Sequence, residues 1–513
     1  MSIRTFAAIF IGSYEVSLKI FELSGKRQLR KIDHIRSRIE LGLDSFGMGS
    51  IGYERVEELC LILKEFRRIM DGYHVDDYRA YAGSVLRDTS NELFILDQIR
   101  LRTQLEVQII SNSEHRLINY QALAFQPEFE DIIREGAAVV DVGGGSIQIT
   151  LFWKGKAVTT QQIVLGLMRI REKISGIQAK LSHYDAQIQE MIDKELDIFR
   201  KLYLKDKEIK YVVMGGNYVW DIMHQHQGPD QRPVMEGEKF QKIMKKLQKK
   251  RTEEIARELN FSNEHDPLLL PSVVLYRRLA EAIDAKYVWT PGLTISDGIA
   301  YSYALENNIL KNTHDFDADI LSAAMAMAER YSSFSGHTEA VRELSVTIFD
   351  ALKRIHGMGG RERLLLQVAA ILHDCGRYVS LVNQADWSYQ IIMASELIGL
   401  NHLERVMVAC AVKYVSYPTV PYEELRDQLD QERYMVVAKL AVILRLSNAL
   451  DRSHRQKFKN VRAALKLKEK QLLVTLETKE NIILEKGLME GYTDSFEQIF
   501  SIQPVIREKR ILQ

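Results

Sequence analysis

The residues best placed for chemistry are Asp141-Val142-Gly143-Gly144-Gly145-Ser146, because they follow the apolar run GAAVV, which reads as a buried strand. Three successive glycines let the main chain approach a ligand and turn its N–H groups into a nest that suits phosphate. Asp141 then sets a carboxylate beside the phosphate, where it would hold Mg2+, or Mn2+ in its place, through water. The spacing is neither a Walker A loop nor a dinucleotide fingerprint, since no Gly-Lys-Ser/Thr follows and GGGS lacks the G-x-G-x-x-G interval. The competing reading of the same residues is a merely flexible hairpin.

The elements around this turn occur twice. GAAVVDVGGGSIQITLF at 136–152 repeats the shape of FAAIFIGSYEVSLKIF at 6–21, in each case an apolar strand, a glycine turn and an alternating strand. A spacing of about 130 residues is that of a domain, and it predicts two related halves facing one another. Placing Gly12 on Gly143 sets Phe10 opposite Asp141. Residues 5–23 read as a hairpin, with Val16, Leu18 and Ile20 on one face and Glu15, Ser17 and Lys19 on the other. Val56, Leu59, Leu63, Phe66 and Met70 then lay one apolar stripe along a helix that ends near Asp71-Gly72. Strands alternating with helices predict an α/β layer architecture with ligands at the turns.

After about residue 310 the texture changes to consecutive helices, at 318–331, 337–356, 362–375, 386–398, 403–414 and 433–450. The segment 463–478 reads as two strands around a charged turn, followed by a helix near 489–500. The domains expected are therefore 1–125 and 126–310, both α/β, an all-α domain at 311–460, and a small α+β extension at 461–513.

Composition narrows the classes of function. Hydrophobic residues at 46% and charged residues at 27% predict a folded chain, and 69 Lys and Arg balance 69 Asp and Glu. No global positive field holds such a protein on nucleic acid or an anionic membrane, so neither is an expected partner. Cys60, Cys375 and Cys410 are too few and too far apart for a disulfide framework or a four-ligand zinc site, which fits a reducing cytoplasm. The apolar start before Gly12 is too short for a signal peptide. Lys242, Lys245, Lys246, Lys249, Lys250 and Arg251 line the polar side of a helix whose buried stripe is Phe240, Ile243 and Leu247; such a face is usually solvated, although a long polyanion could lie along it.

The hairpin pair, together with AGSVLRDTSN at 82–91, ISNSEHRL at 110–117, VLGLMR at 164–169 and MGGN at 214–217, resembles the exopolyphosphatase and guanosine pentaphosphate phosphohydrolase (Ppx/GppA) family. The resemblance spans essentially the whole chain. It implies two actin-like domains of the Hsp70 and sugar-kinase type, followed by a helical domain of HD type. It also implies a homodimer and a cleft in which water displaces the terminal phosphate of inorganic polyphosphate or of pppGpp. No organic cofactor is implied. Gly12, Ser13, Gly143, Gly144, Gly145 and Ser146 would cradle phosphate, and Arg87 matches the family's phosphate-binding arginine, its other reading being an ion pair with Asp88. Glu114 matches the family's general base if one residue is missing before it, and His115 takes that place if none is.

Departures from the family pattern are equally specific. Phe10 stands where the first loop of the family has an aspartate, Tyr14 and Glu15 replace residues that cradle phosphate, and Ile147-Gln148 replaces Thr-Glu. These changes favour, as the alternative, a catalytically weakened protein that binds polyphosphate or a nucleotide. In the helical domain His337 and His373-Asp374 resemble the His and His-Asp of HD phosphohydrolases, but the closing aspartate falls on Asn448, with Asp451 three residues on. Trp387 and Val415 stand where further histidines would be expected. His337, His373, Asp374 and Asp451 are accordingly a weak metal site or a hydrogen-bonded helix junction.

Overall fold

Phe6, Ala7, Ala8, Ile9 and Ile11 are wholly buried, as a central strand with both faces covered requires. In the computed structural model, which describes residues 4–24, 28–178, 185–205, 207–227, 233–261, 266–311, 314–416 and 422–510, they form β1 (Arg4–Ile11). Around it run β2 (Glu15–Ser24), β3 (Gln28–Arg38), β4 (Asp77–Ala82) and β5 (Val107–Ile109), in the order β3-β2-β1-β4-β5. β2 pairs antiparallel with both β1 and β3, whereas β4 runs parallel to β1 and β5. Ala7, Ile9 and Ile11 pack with Leu59, Leu63 and Phe66 of the helix Tyr53–Gly72. Phe6, Ala8 and Phe21 pack on the other side with Ile118, of the helix Asn112–Ala124, and with Ile299, of the helix Ile295–Glu306.

The second sheet repeats this plan. β6 (Ala137–Val142), β7 (Ile147–Trp153), β8 (Lys156–Ile163), β9 (Tyr211–Gly215), β10 (Val234–Glu236) and β11 (Tyr287–Trp289) lie in the order β10-β11-β9-β6-β7-β8. Apart from the added edge strand β10, the order and the parallel and antiparallel pairings match those of the first sheet. Even the turns agree: Gly12 N donates to Glu15 O at 3.0 Å, and Gly143 N donates to Ser146 O at 3.0 Å. Both sheets belong to one compact unit, Met1–Asp315.

A second unit, Phe316–Gln513, begins with helices at Phe316–Arg330, Ser335–Ala351, Gly360–Leu372, Gln384–Ala394, His402–Lys413 and Gln431–Leu450. Strands β12 (Phe458–Lys466), β13 (Gln471–Thr478) and β14 (Gln503–Arg510) then form one sheet in that order. Two strands are expected there from the sequence. The third, β14, has a charged edge-strand sequence that carries little strand signal, as does the equally unexpected β3.

The lysine-rich helix Gly237–Gln248 buries Phe240, Met244 and Leu247 and exposes Lys242, Lys245 and Lys246. Its Lys246 pairs with Glu258 at 3.1 Å, and Lys250, just beyond the helix, pairs with the same carboxylate. Among the described residues no helix is long and apolar enough to cross a membrane.

Candidate active site

The two glycine turns touch. A Cβ at Gly144 would overlap Ser13 Oγ, so the contact requires glycine. The carbonyls of the second turn are held by the start of the helix Leu167–Gln178: Leu167 N donates to Gly143 O at 3.1 Å and Met168 N to Gly144 O at 3.0 Å. Arg169 Nε donates to Gly145 O at 3.0 Å. Gly166 is a glycine because a Cβ there would strike the Gly144 carbonyl. The segment VLGLMR therefore shapes the turn, and those helix amides are spent on it.

Two adjoining cavities open beside the turns. The larger, about 470 Å3, extends past Tyr14, Glu15, Arg36, Tyr218 and Asp221. The smaller, about 100 Å3, is bordered by Ser84, Arg87, Asn112, Gly145, Ser146 and Gln148. Phe10, Gly12, Ser13, His115, Asp141, Gly143 and Gly144 line both.

Asp141 and Gln148 are direct partners in the β6–β7 register, which sets their side chains on one face of the sheet. Asp141 Oδ2 accepts a hydrogen bond from Asn119 Nδ2 at 3.1 Å and lies 3.3 Å from His115 Nδ1. With Nδ1 turned to that carboxylate, Nε2 is the ring nitrogen available to the cavities. Burial lowers the His115 pKa and the charge of Asp141 opposes the shift, so the ring is kept neutral and able to accept a proton.

Glu114 is placed differently from the sequence expectation. Its carboxylate accepts from Ser111 N at 2.7 Å while Ser111 Oγ accepts from Glu114 N at 3.2 Å, a capping box that starts the helix Asn112–Ala124. It lines neither cavity, and His115, the next residue, does. Arg87 lines the smaller cavity, with Nη1 donating to Ile110 O at 2.9 Å and Nη2 to Asn112 Oδ1 at 3.0 Å. Its Nε is 3.4 Å from Asp88 Oδ1, so the ion pair anticipated as an alternative is present beside the smaller cavity.

The departures in the first turn have structural consequences. The ring of Phe10 faces that of His115 at 5.6 Å and packs partly against the Phe6, Ala8 and Phe21 cluster. Glu15 accepts from Asn217 Nδ2 at 3.1 Å, and its pKa is raised by burial, with Arg36 opposing. The Tyr14 and Tyr218 hydroxyls donate to the two oxygens of Asp266, at 2.9 and 3.0 Å. Burial and the Asp266 charge raise both phenols, which hold their protons. Tyr218, Asp266, Asp221 and Arg36 were not legible as site residues, because no local motif marks them: Tyr218 and Asp221 come from the helix Asn217–Gln227, Arg36 from β3, and Asp266 from the stretch before the helix Leu269–Ile283.

A resident Mg2+ or Mn2+ at Asp141 does not fit this donor set. In the second turn the one carboxylate, Asp141, accepts from Asn119 and lies beside His115, while the flanking positions hold the ring of Phe10 and the neutral amide of Gln148; Glu15, in the first turn, accepts from Asn217. Among the described residues, no group of three or more His, Cys, Asp or Glu side chains is arranged to hold a metal ion.

The family model of the Ppx/GppA phosphatase family matches residues 25–307, and that of Ppx/GppA phosphatase, domain III, matches residues 321–491. The chain belongs to the Ppx/GppA phosphatase family. An exopolyphosphatase from Cytophaga hutchinsonii is 16% identical, with a TM-score of 0.51, over 60% of this chain and 99% of that one. A family member from Aquifex aeolicus is 20% identical, with a TM-score of 0.49, over 60% and 99% of the two chains. No curated protein matches the sequence. The duplicated sheets of the first unit are the actin-like architecture of Ppx/GppA proteins.

In the part of this Ppx/GppA chain matched by domain III, His337, His373, Asp374 and Asp451 come together, but as a hydrogen-bonded junction. His337 Nδ1 meets Asp451 Oδ2 at 2.9 Å, His337 Nε2 meets His373 Nε2 at 3.2 Å, and His373 Nδ1 meets Ala370 O at 2.7 Å. Asp374 pairs with Arg377 at 2.7 Å, and the ring of His454 stacks on His337 at 3.6 Å. The weak metal assignment of these four residues is corrected accordingly, because the imidazole nitrogens are spent on one another, on Asp451 and on the backbone.

Proposed function

We propose that this Ppx/GppA chain is a phosphohydrolase that releases terminal orthophosphate from inorganic polyphosphate, from guanosine pentaphosphate, or from both, in the cleft between the two sheets of its first unit. The observation that carries the reading is the contact of two matching glycine turns beside a cavity that Asp141 and His115 line together. Phosphate oxygens would be held by the turn around Gly12 and Ser13, by the 143–146 turn, and by the guanidinium of Arg87.

His115 is the base in this reading. Nε2 takes a proton from the attacking water, and Asp141 steadies the imidazolium that forms, as a carboxylate does for a histidine base. The requirement for Mg2+ or Mn2+ is met, where it exists, by the ion that a phosphate chain brings with it, since Asp141 is the carboxylate of the second turn and Glu15, in the first, is held by Asn217.

Phe10 and Gln148 favour a second reading, a binding protein that retains the cleft and has lost turnover, because each stands where the family resemblance places a carboxylate. Phosphate release from long-chain polyphosphate and from pppGpp, measured with and without added Mg2+ or Mn2+, decides between them. Release above the uncatalysed rate supports the enzyme, whereas tight binding of either compound without release supports the sensor.

A further inference from the structure

Gln148 is 6% exposed, and its Oε1 has no hydrogen-bond partner among the described residues. A buried amide oxygen left unpaired is costly, which marks it as a position kept for a ligand or a task. Gln148 lines the cavity of about 100 Å3 that also borders His115, Asp141 and the 143–146 turn. That volume suits a terminal phosphoryl group with one water beside it, the water alone taking roughly 30 Å3.

We infer that Gln148 is a catalytic residue that, with His115, holds the attacking water in this chamber, taking the place of carboxylates and of a metal bound between them. The inference rests on the phosphohydrolase reading. An acceptor oxygen would repel an ionised phosphate oxygen, but it accepts one O–H of a water molecule while His115 Nε2 accepts the other. A water held by two acceptors turns its lone pairs away from both, toward the phosphate cradled by the turns. Glutamine orients water in the same way in other phosphoryl-transfer sites.

Placement agrees with that role. Gln148 projects from β7 beside Asp141 of β6, and His115 comes from the helix Asn112–Ala124, with its Nδ1 3.3 Å from Asp141 Oδ2. Around the chamber Arg87 donates to Asn112 Oδ1, and Asn112 Nδ2 donates to Gln162 Oε1 at 2.7 Å, so the wall is cross-braced by neutral amides and one cation. In the step, the water oxygen bonds to the terminal phosphorus as the bond from phosphorus to the bridging oxygen breaks. One water proton passes to His115 Nε2 and the other stays on the new orthophosphate. The bridging oxygen leaves with its electron pair as the terminus of the shortened chain.

The test uses the full chain and tripolyphosphate, with kcat from phosphate release, affinity from calorimetry and Tm from circular dichroism. Gln148→Leu is expected to lower kcat about a hundredfold while affinity holds and Tm does not fall, because the lost oxygen has no partner to abandon. His115→Gly is expected to lose turnover and to recover part of it with added imidazole, a rescue that a structural role does not produce. Wild-type kcat in Gln148→Leu, or lost affinity with unchanged kcat, overturns the assignment alone. Absence of phosphate release from the wild type overturns the phosphohydrolase reading and this inference together.

Discussion

Phe10 and Asp141 hold the same place in two copies of one hairpin, each being the penultimate residue of its strand, with Ser17 and Gln148 as their cross-strand partners. The first copy presents a ring and a hydroxyl to the cleft, and the second presents a carboxylate and an amide. The duplication is therefore strict in backbone and broken in chemistry.

Restoring the symmetry is a test of metal binding. Phe10 lines both cavities, so an aspartate there would be partly solvated. The variant Phe10→Asp with Glu15→Ser is expected to fold with a loss of about 2 kcal/mol for the ring's lost packing. It should bind Mn2+ measurably more tightly than the wild type, by calorimetry, and release phosphate faster when Mn2+ is present. Unchanged Mn2+ affinity in a folded variant would show that position 10 does not govern metal binding.

Gly144→Ala tests the contact between the turns. The added methyl overlaps Ser13 Oγ and lies 3.1 Å from Met168 Cγ, so the turns must separate. A stability loss of about 1–3 kcal/mol is expected from such overpacking, read as a lower denaturation midpoint, together with weaker tripolyphosphate binding. Removing the hydroxyl in Ser13→Gly with Gly144→Ala should recover part of both.

Glu114→Ala separates the cap from the chemistry. Loss of the capping box should lower stability by roughly 1 kcal/mol, with kcat kept at the wild-type value, because the carboxylate faces Ser111 N and lines neither cavity. A collapse of kcat at unchanged Km would return the base to Glu114.

What the sequence made legible was local. Both turns could be read because glycines between apolar and alternating runs leave a signal within a dozen residues, and β6 and β7 lie as that signal predicts. β3 and β14 could not, since QLRKIDHIRSR and QPVIREKR are polar edge strands that borrow their order from neighbours. Glu114 carried a readable warning in Ser111-Asn112-Ser113-Glu114, the spacing of a capping box, which the family motif outweighed. Gln148 acquires its meaning from the helix that brings His115 across to it, a placement that adjacent residues do not encode.

The last prediction concerns His337 and His373, whose chain of contacts runs from Asp451 Oδ2 to Ala370 O through hydrogen bonds of 2.9, 3.2 and 2.7 Å. Burial, and next the neighbouring His337, push the buried His373 down to about 3. Because its unfolded value is near 6.5, the unfolded chain takes up a proton that the folded chain refuses. Stability is therefore full above about pH 6.5 and is lost toward pH 3 at about 1.4 kcal/mol per unit. His454, lowered to about 4 by burial and then by His337, adds a loss of the same sign. Melting curves from pH 7.5 to pH 4.5 should show Tm falling steadily, with a shallower slope in His373→Gln. Asp451→Asn should cost about 1–3 kcal/mol by weakening the contact to the buried His337 Nδ1. A wild-type melting profile in that variant would mean that this contact does not hold the junction together.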